Sequence, residues 1–420
     1  MLKPLVIKLS ILSLGLSCLL SQAQALSSPL KFPLSRRTHS TNTLTKRWSK
    51  NKSHATQKNV SGLVPLLENK ALQEYAISVS VGTPPKEFLL VLDTGSSDTW
   101  VPSSICTPKA GCPSDRRFNP SESSTYVHTR LDYQAGYLTA QVNGSYFNDT
   151  ITVGNFTLDN QFLFLVNDQT GSLADQTSDI LLDGVFGAGL PGSSTLSNNR
   201  NETFLTIPME LYARGLIPEP LFSVFLGQAK ESAWSGEIIF GAVDQERAAS
   251  RITYIDVAQF QAPNGYVYFN NWFSLASQIE VGSNYIEAEE DTSLPFLFDT
   301  GTDALVLPTD LADKVVQSLA PDAIKNDTVY NVDCSYLGNT RPFRIIFPGS
   351  QFTTVKQSKN LNVTLEVPVN KMVTRLGSTC QLIIETNDDS YPIIGNLFLR
   401  HFITVFNFED YTIGLAPAKQ

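Results

Sequence analysis

Histidine is scarce in this chain, with four among 420 residues, and only His128 and His401 lie beyond a basic N-terminal stretch. Ser-His-Asp and Cys-His nucleophile systems need an imidazole base, and neither of these histidines sits in a recognisable motif. No Gly-rich phosphate loop and no dinucleotide fingerprint is present, so no cofactor is expected. The cysteines include no Cys-x-x-Cys pair, which with so little histidine argues against zinc, and no metal is expected. After residue 25 no apolar run is long enough to span a bilayer. The segment Gly414–Gln420 carries no hydrophobic tail or ER-retention signal, so no membrane anchor is expected. Acidic residues are missing from residues 1–60, which hold ten Lys/Arg. The remainder then has 21 basic and 40 acidic residues, a formal net charge of −19. So acidic a body excludes nucleic acid and anionic membranes as natural partners and points to acidic surroundings.

Residues 1–25 have the form of a secretory signal: Lys3 and Lys8, an apolar run from Ile11 to Leu20, then Ala23-Gln24-Ala25. A secreted, extracellular protein is expected, rather than a vacuolar one. Residues 26–68 are rich in Ser, Thr, Asn and Lys/Arg, with dibasic pairs at Arg36-Arg37 and Lys46-Arg47. A basic, removable pro-segment lying over an acidic cleft is expected there, as an intramolecular inhibitor of the body. Cys18 leaves with the signal, and Cys106, Cys112, Cys334 and Cys380 remain for an oxidising compartment. Four cysteines allow three pairings; bridges kept within each half give Cys106–Cys112 and Cys334–Cys380. Sequons at Asn143, Asn148, Asn155, Asn201, Asn326 and Asn362 are candidate glycosylation sites.

From Leu72 onward the pattern is one of short strands and turns. Tyr75–Val81 alternates, Gly82-Thr83-Pro84-Pro85 turns the chain, and Phe88–Leu92 forms a buried run. Ile151–Leu165, Ile180–Val185, Leu221–Leu226, Glu237–Phe240 and Ile252–Ile255 read as further strands. A short helix is expected near Asp310–Leu319, with Thr309 or Asp310 as N-cap. Two lobes are expected, 69–248 and 249–420, in an all-β protein.

The strongest signal is a repeat. Val91-Leu92-Asp93-Thr94-Gly95-Ser96 returns as Leu297-Phe298-Asp299-Thr300-Gly301-Thr302, 206 residues later. Val185-Phe186-Gly187 and Ile393-Ile394-Gly395 follow the two acids at offsets of 94 and 96 residues. One Asp-Thr-Gly reads as an ordinary turn; two at matching places imply that each lobe delivers one carboxyl to a shared site. Paired carboxyls cannot both ionise easily, so one serves as base and the other as acid. Gly95 and Gly301 are expected to bring backbone N–H groups to each carboxylate. Ser96 and Thr302 are expected to donate to the outer carboxylate oxygens, and Thr94 and Thr300 to link the loops. Glycoside hydrolysis also uses two carboxylates, but it does not call for near-identical sequence around both. The symmetry favours peptide hydrolysis.

These stretches resemble the pepsin family of aspartic endopeptidases from Glu74 to Pro417. The matching segments include Glu74-Tyr75, Val81-Gly82-Thr83-Pro84, Asp93–Ser97 with Trp100-Val101-Pro102, Phe118-Asn119-Pro120-Ser121, Leu221-Phe222-Ser223-Val224 and Asp299–Thr302. Ser97–Trp100 and Gly395–Arg400 look closest to its secreted fungal, mucorpepsin-type members. The resemblance implies a bilobal pepsin-like fold of two β-barrel-like lobes, with the active-site cleft between them. It also implies a monomer that cuts polypeptide substrates at bulky hydrophobic residues in acid. It places a flap at Leu131–Gly136, with Tyr133 as the flap tyrosine bonded to the Trp100 indole and Gly136 beside it. Gln134 departs from the family's Tyr-Gly-x-Gly, and Asn396 stands where most members have Asp. Asp303, following Thr302, is expected to favour basic substrate residues. A catalytically silent binding protein on this fold is the alternative, but both acids and their hydroxyl neighbours are intact.

Overall fold

The run Phe88–Leu92 is apolar throughout because its strand lies inside a sheet and is covered on both faces. The computed structural model describes residues 62–70, 73–200, 202–229, 232–261, 267–286, 294–351 and 361–419. The signal, nearly all of the pro-segment and the Asn201 sequon lie outside these residues. The N-terminal half supplies strands β1 (Leu63–Asn69), β2 (Glu74–Val81), β3 (Lys86–Asp93), β4 (Trp100–Pro102), β5 (Val127–Gly136), β6 (Gln141–Val153), β7 (Phe156–Gln169), β8 (Gly184–Gly187), β9 (Leu221–Phe225) and β10 (Ala233–Phe240). With β11 (Thr253–Asp256) and the strands Phe402–Asn407 and Thr412–Pro417 they form one 13-stranded sheet.

The repeat in sequence is a repeat in topology. In the N-terminal half β3 runs parallel to β8, β8 antiparallel to β4, and β4 parallel to β7. In the C-terminal half Leu294–Phe298 runs parallel to Ile393–Ile394, which lies antiparallel to Leu305–Leu307, itself parallel to Thr379–Thr386. Each acid thus stands at the end of a strand whose parallel partner runs into a glycine, Gly187 or Gly395. Asp93 pairs with Gly187, and the Asp299 N–H donates to the Ile394 carbonyl at 3.1 Å.

Two expected boundaries fall within shared structure, and one expected helix cap is corrected. The boundary expected at residue 68 runs through β1. That strand is interior to the sheet, between β10 and β2, with Leu66 opposite both Gly236 and Ile77. Residues 63–69 thus form an alternating strand whose Leu66 is fully buried in the core. The division expected at 248/249 runs beside a sheet that both halves build: β9 pairs with Phe402–Asn407, and β11 pairs with Thr412–Pro417. The helix Thr309–Leu319 is capped by Pro308 and not by its own hydroxyl residue. Its first N–H and the Thr309 hydroxyl are both taken by Asp388, at 2.7 and 2.9 Å.

The structure bridges Cys106 to Cys112 and Cys334 to Cys380, one disulfide in each half. A single large apolar core runs through both lobes, from Leu66, Phe88 and Leu92 to Phe298, Ile345 and Phe406. A second, smaller cluster beneath the β5–β6 hairpin includes Trp100, Tyr146, Phe164 and Val185. Among the sequons, Asn155, Asn326 and Asn362 are exposed, whereas Asn143 and Asn148 are half-buried in β6. Asn143 donates to Asp168 at 2.6 Å.

Because β1 is part of this core, Leu66→Ala is expected to destabilise the body by about 2–5 kcal/mol. Urea unfolding measures this; a change below about 0.5 kcal/mol would place residues 63–68 outside the folded body.

Candidate active site

The Asp93 and Asp299 loops meet face to face, and glycine is what lets them. A Cβ on Gly95 would lie 2.4 Å from the Asp299 Cγ, and one on Gly301 would lie 2.7 Å from the Asp93 Cγ. Each loop's glycine leaves room for the other loop's carboxyl. Neither is among the positive-φ glycines, so close approach, not a left-handed backbone, requires them.

Both carboxyls are nearly enclosed, at 6% exposure for Asp93 and 7% for Asp299. Asp93 Oδ1 accepts from the Gly95 N–H at 2.7 Å and the Ser96 N–H at 3.1 Å, while the Ser96 hydroxyl donates to Oδ2. Asp299 Oδ1 accepts from the Gly301 N–H at 2.8 Å, and Oδ2 accepts from the Thr302 hydroxyl at 2.7 Å. Behind the carboxyls, Thr94 and Thr300 exchange bonds. The Thr94 N–H donates to Thr300 Oγ1 at 3.2 Å and the Thr300 N–H to Thr94 Oγ1 at 3.0 Å. Each hydroxyl then donates across the pair, Thr94 to the Phe298 carbonyl at 2.8 Å and Thr300 to the Leu92 carbonyl at 2.6 Å. Four mutual bonds among fully buried groups set the spacing of the two loops.

Burial, and then the charge of Asp299, hold the Asp93 carboxyl well above the usual range, against the pull of the Ser96 and Gly95 donors. More carboxyls surround the pair. Glu74, at the start of β2, is also held well above the usual range, by loss of solvent and then by the charges of Asp303, Asp299 and Asp93. Burial raises Asp303. Glu385 is pushed up to about 6, by burial and then by Asp303. The Asp303 carboxylate accepts from Gln73 Nε2 at 3.3 Å. Asn396 is fully buried, and its Nδ2 donates weakly to Glu74 at 3.3 Å and to the Thr300 carbonyl at 3.4 Å. An amide here adds no further negative charge behind Asp299.

The flap expectation needs correction. The Trp100 indole N–H donates to the Tyr137 hydroxyl at 2.8 Å, not to Tyr133. The register explains why. Tyr133 is paired with Gly144 well down the ladder, while Gly136 opposite Gln141 is the last pair before the turn. The tip is therefore 137–140, closed by a 2.8 Å bond from the Tyr137 N–H to the Ala140 carbonyl. Tyr133 instead packs edge-on to Tyr146 at 5.8 Å. Gly136 is exposed with open space around it, so packing does not demand a glycine there. The aromatic adjoining the turn, Tyr137, was the usable sequence signal.

Two buried polar groups escaped the sequence reading because nothing local distinguishes them. Asp98, 4% exposed, accepts from the Tyr146 hydroxyl at 2.7 Å and the Thr195 N–H at 2.8 Å. This ties the Asp93 loop to the base of the hairpin. Asn271, 1% exposed, reaches from the C-terminal half to the Gly95 carbonyl. Among the described residues, no cluster of His, Cys, Asp or Glu could hold a metal ion.

The family model for eukaryotic aspartyl protease matches residues 74–418. Mucorpepsin of Rhizomucor miehei is 37% identical over 353 residues, covering 82% of this chain and 78% of that protein. Mucorpepsin of Rhizomucor pusillus is 36% identical, over 84% of this chain and 81% of the relative. The crystal structure of an aspartic proteinase from Irpex lacteus superposes with a TM-score of 0.66 at 22% identity, covering 86% of this chain and 98% of the other. That likeness shows the bilobal pepsin-like fold, and the match of the family model across most of the chain, with the two mucorpepsins, shows that it belongs to the eukaryotic aspartyl protease family.

Proposed function

We propose that Asp93 and Asp299 are the catalytic pair of a secreted acid endopeptidase that cuts polypeptides beside bulky hydrophobic residues. The observation that carries this reading is the interlock of the two loops, in which each carboxyl sits against the other loop's glycine. Two acids held so close share one proton over a broad acidic range. The ionised member accepts a proton from a water molecule, and the water oxygen attacks the scissile carbonyl carbon. The protonated member hydrogen-bonds to the carbonyl oxygen and stabilises the tetrahedral intermediate. A proton then passes to the leaving nitrogen, and the C–N bond breaks. The fixed N–H and hydroxyl donors around both carboxyls pre-orient them for this exchange. A silent binding protein would have no need of two complete sets of donors.

Tyr137, held by Trp100 at the hairpin tip, serves as the flap tyrosine in this reading. Burial, and then the charges of Asp98 and Asp93, raise its phenol further above its ordinary range, so it stays a donor at any working pH. Asp303, with Glu74 and Glu385, lines one side of the site with carboxyls, and a basic substrate residue nearby would favour the ionised form of Asp303 against the burial that raises it. The basic segment from residue 26 to the start of the body acts as an intramolecular inhibitor, released as acid neutralises the carboxylates it covers.

The secreted chain is expected to show activity on denatured protein only after exposure to about pH 3–5, where a shared proton is held, with loss of the basic segment on a gel. A statine-type inhibitor should abolish that activity. Asp93→Asn and Asp299→Asn are each expected to lower kcat at least about a hundredfold; full activity in either variant would refute the shared pair. Tyr137→Phe should cost about fivefold in kcat/KM, the worth of one hydrogen bond, while Tyr133→Phe changes it by less than twofold. The reverse ranking would restore Tyr133 to the flap. Asp303→Ser is expected to lower kcat/KM for Lys- or Arg-containing peptides roughly fivefold relative to neutral ones, and to bring Glu385 down from about 6 because the charge of Asp303 helps to raise it. Unchanged selectivity in that variant would remove Asp303 from substrate recognition.

A further inference from the structure

Each side of the active pair has its own loop, but one short stretch of the C-terminal half touches both. The Trp272 carbonyl accepts from the Phe298 N–H at 3.0 Å, one residue before Asp299. The Trp272 indole donates to the Ala188 carbonyl at 3.0 Å, and the Ala188 N–H donates to the Asp93 carbonyl at 2.7 Å. Asn271 goes furthest. Its Nδ2 donates to the Gly95 carbonyl at 2.6 Å, and its Oδ1 accepts from the Leu190 N–H at 3.1 Å. At 1% exposure, both ends of the amide are used and water is excluded.

The Gly95 carbonyl belongs to the same peptide unit as the Ser96 N–H, which donates to Asp93 Oδ1 at 3.1 Å. A peptide plane is rigid. Fixing its oxygen therefore fixes where its hydrogen points, and a hydrogen bond accepted by the oxygen strengthens the one donated by the nitrogen. Gly189 completes the fit: its N–H donates to the Ser96 carbonyl at 2.8 Å, and a Cβ there would lie 2.9 Å from Asn271 Oδ1. On the Asp299 side, among the described residues, the amide nearest in role is Asn396, which stands 3.4 Å from the carbonyl of Thr300, one peptide earlier.

We infer that Asn271 is a positioning residue for proteolysis: it locks the Gly95–Ser96 peptide so that the Ser96 N–H favours the ionised form of Asp93. It touches neither substrate nor carboxyl and acts through that peptide. The bond from the Ser96 N–H opposes the burial and the Asp299 charge that hold the Asp93 carboxyl up, and so helps the pair to keep one ionised member in acid. This rests on the reading of Asp93 and Asp299 as the catalytic pair.

The sign of the effect follows. Losing a bond to a charged carboxylate disfavours ionisation, so the acid limb of kcat/KM, which needs one ionised member, moves to higher pH. The other groups that exchange charge with Asp93 are Asp299 across the loops, Tyr137 from the hairpin and Glu74 from β2. All three are retained in the test. Asn271→Leu, which keeps the size but removes both polar ends, is expected to shift the acid limb up by about half a pH unit or more. Asn271→Asp is the conservative rescue. Its neutral carboxyl can both donate to the Gly95 carbonyl and accept from the Leu190 N–H, so activity at the acid end is restored and falls as that carboxyl ionises. Leu66→Ala serves as the destabilised control and should leave the limb in place. An unmoved acid limb in Asn271→Leu, or, should the leucine variant fail to fold, activity in Asn271→Asp that stays at the native level as its new carboxyl ionises, would overturn the inference, whatever happens to melting temperature. Activity surviving in Asp93→Asn would instead overturn the reading of the pair itself, so the two failures are distinguishable.

Discussion

The contact on which this molecule depends is the packing of each carboxyl over the opposite loop's Gly. Asp299 lies where a Gly95 side chain would be, and Asp93 lies where a Gly301 side chain would be. The Thr94–Thr300 exchange sets the distance, and the shared sheet beneath holds the two lobes to it. Any side chain at either glycine would have to displace a carboxyl, so steric need and chemical purpose coincide there.

Holding two acids together costs free energy, because ionising both would place like charges side by side in a dry site. The structure offsets this with donors: two N–H groups and a hydroxyl for Asp93, an N–H group and a hydroxyl for Asp299. It also withholds further charge at one point, where Asn396 stands behind Asp299. Elsewhere it adds carboxyls. Burial raises Glu74, Asp303 and Glu385, and the charge of Asp303 adds to it for Glu74 and Glu385. A protein with so many carboxyls that prefer to be neutral is suited to acid. His401 runs the other way. It is held down to about 4, by burial and then by Arg400 and Lys371, and stays neutral through most of the acid range.

The duplicated Asp-Thr-Gly and the later Gly187 and Gly395 were legible because duplication writes itself in spacing, and the fold repeats them strand for strand. The hairpin Tyr75–Leu92 was legible from alternation and a Gly-Pro turn. What failed were features set by register or by distant partners. Tyr133 and Tyr137 both lie near glycine and differ only in their place relative to the turn, which pairing across β5 and β6 decides. β1 went unread because the polar, basic stretch before it was carried through to residue 68, past the strand's start at Leu63. Asn271 and Asp98 lie 176 and 48 residues from the groups they hold, and no local pattern marks such partners.

The central claim is that the two loops force Asp93 and Asp299 to titrate as one unit. Carboxyl ionisation followed by infrared or NMR titration, as the difference between the native enzyme and the Asp93→Asn/Asp299→Asn double variant, tests this directly. The account predicts two well-separated steps, one below and one above the ordinary carboxyl range, with a single proton held between them. Two carboxyls ionising together in one step near the ordinary value of about 4 would contradict it.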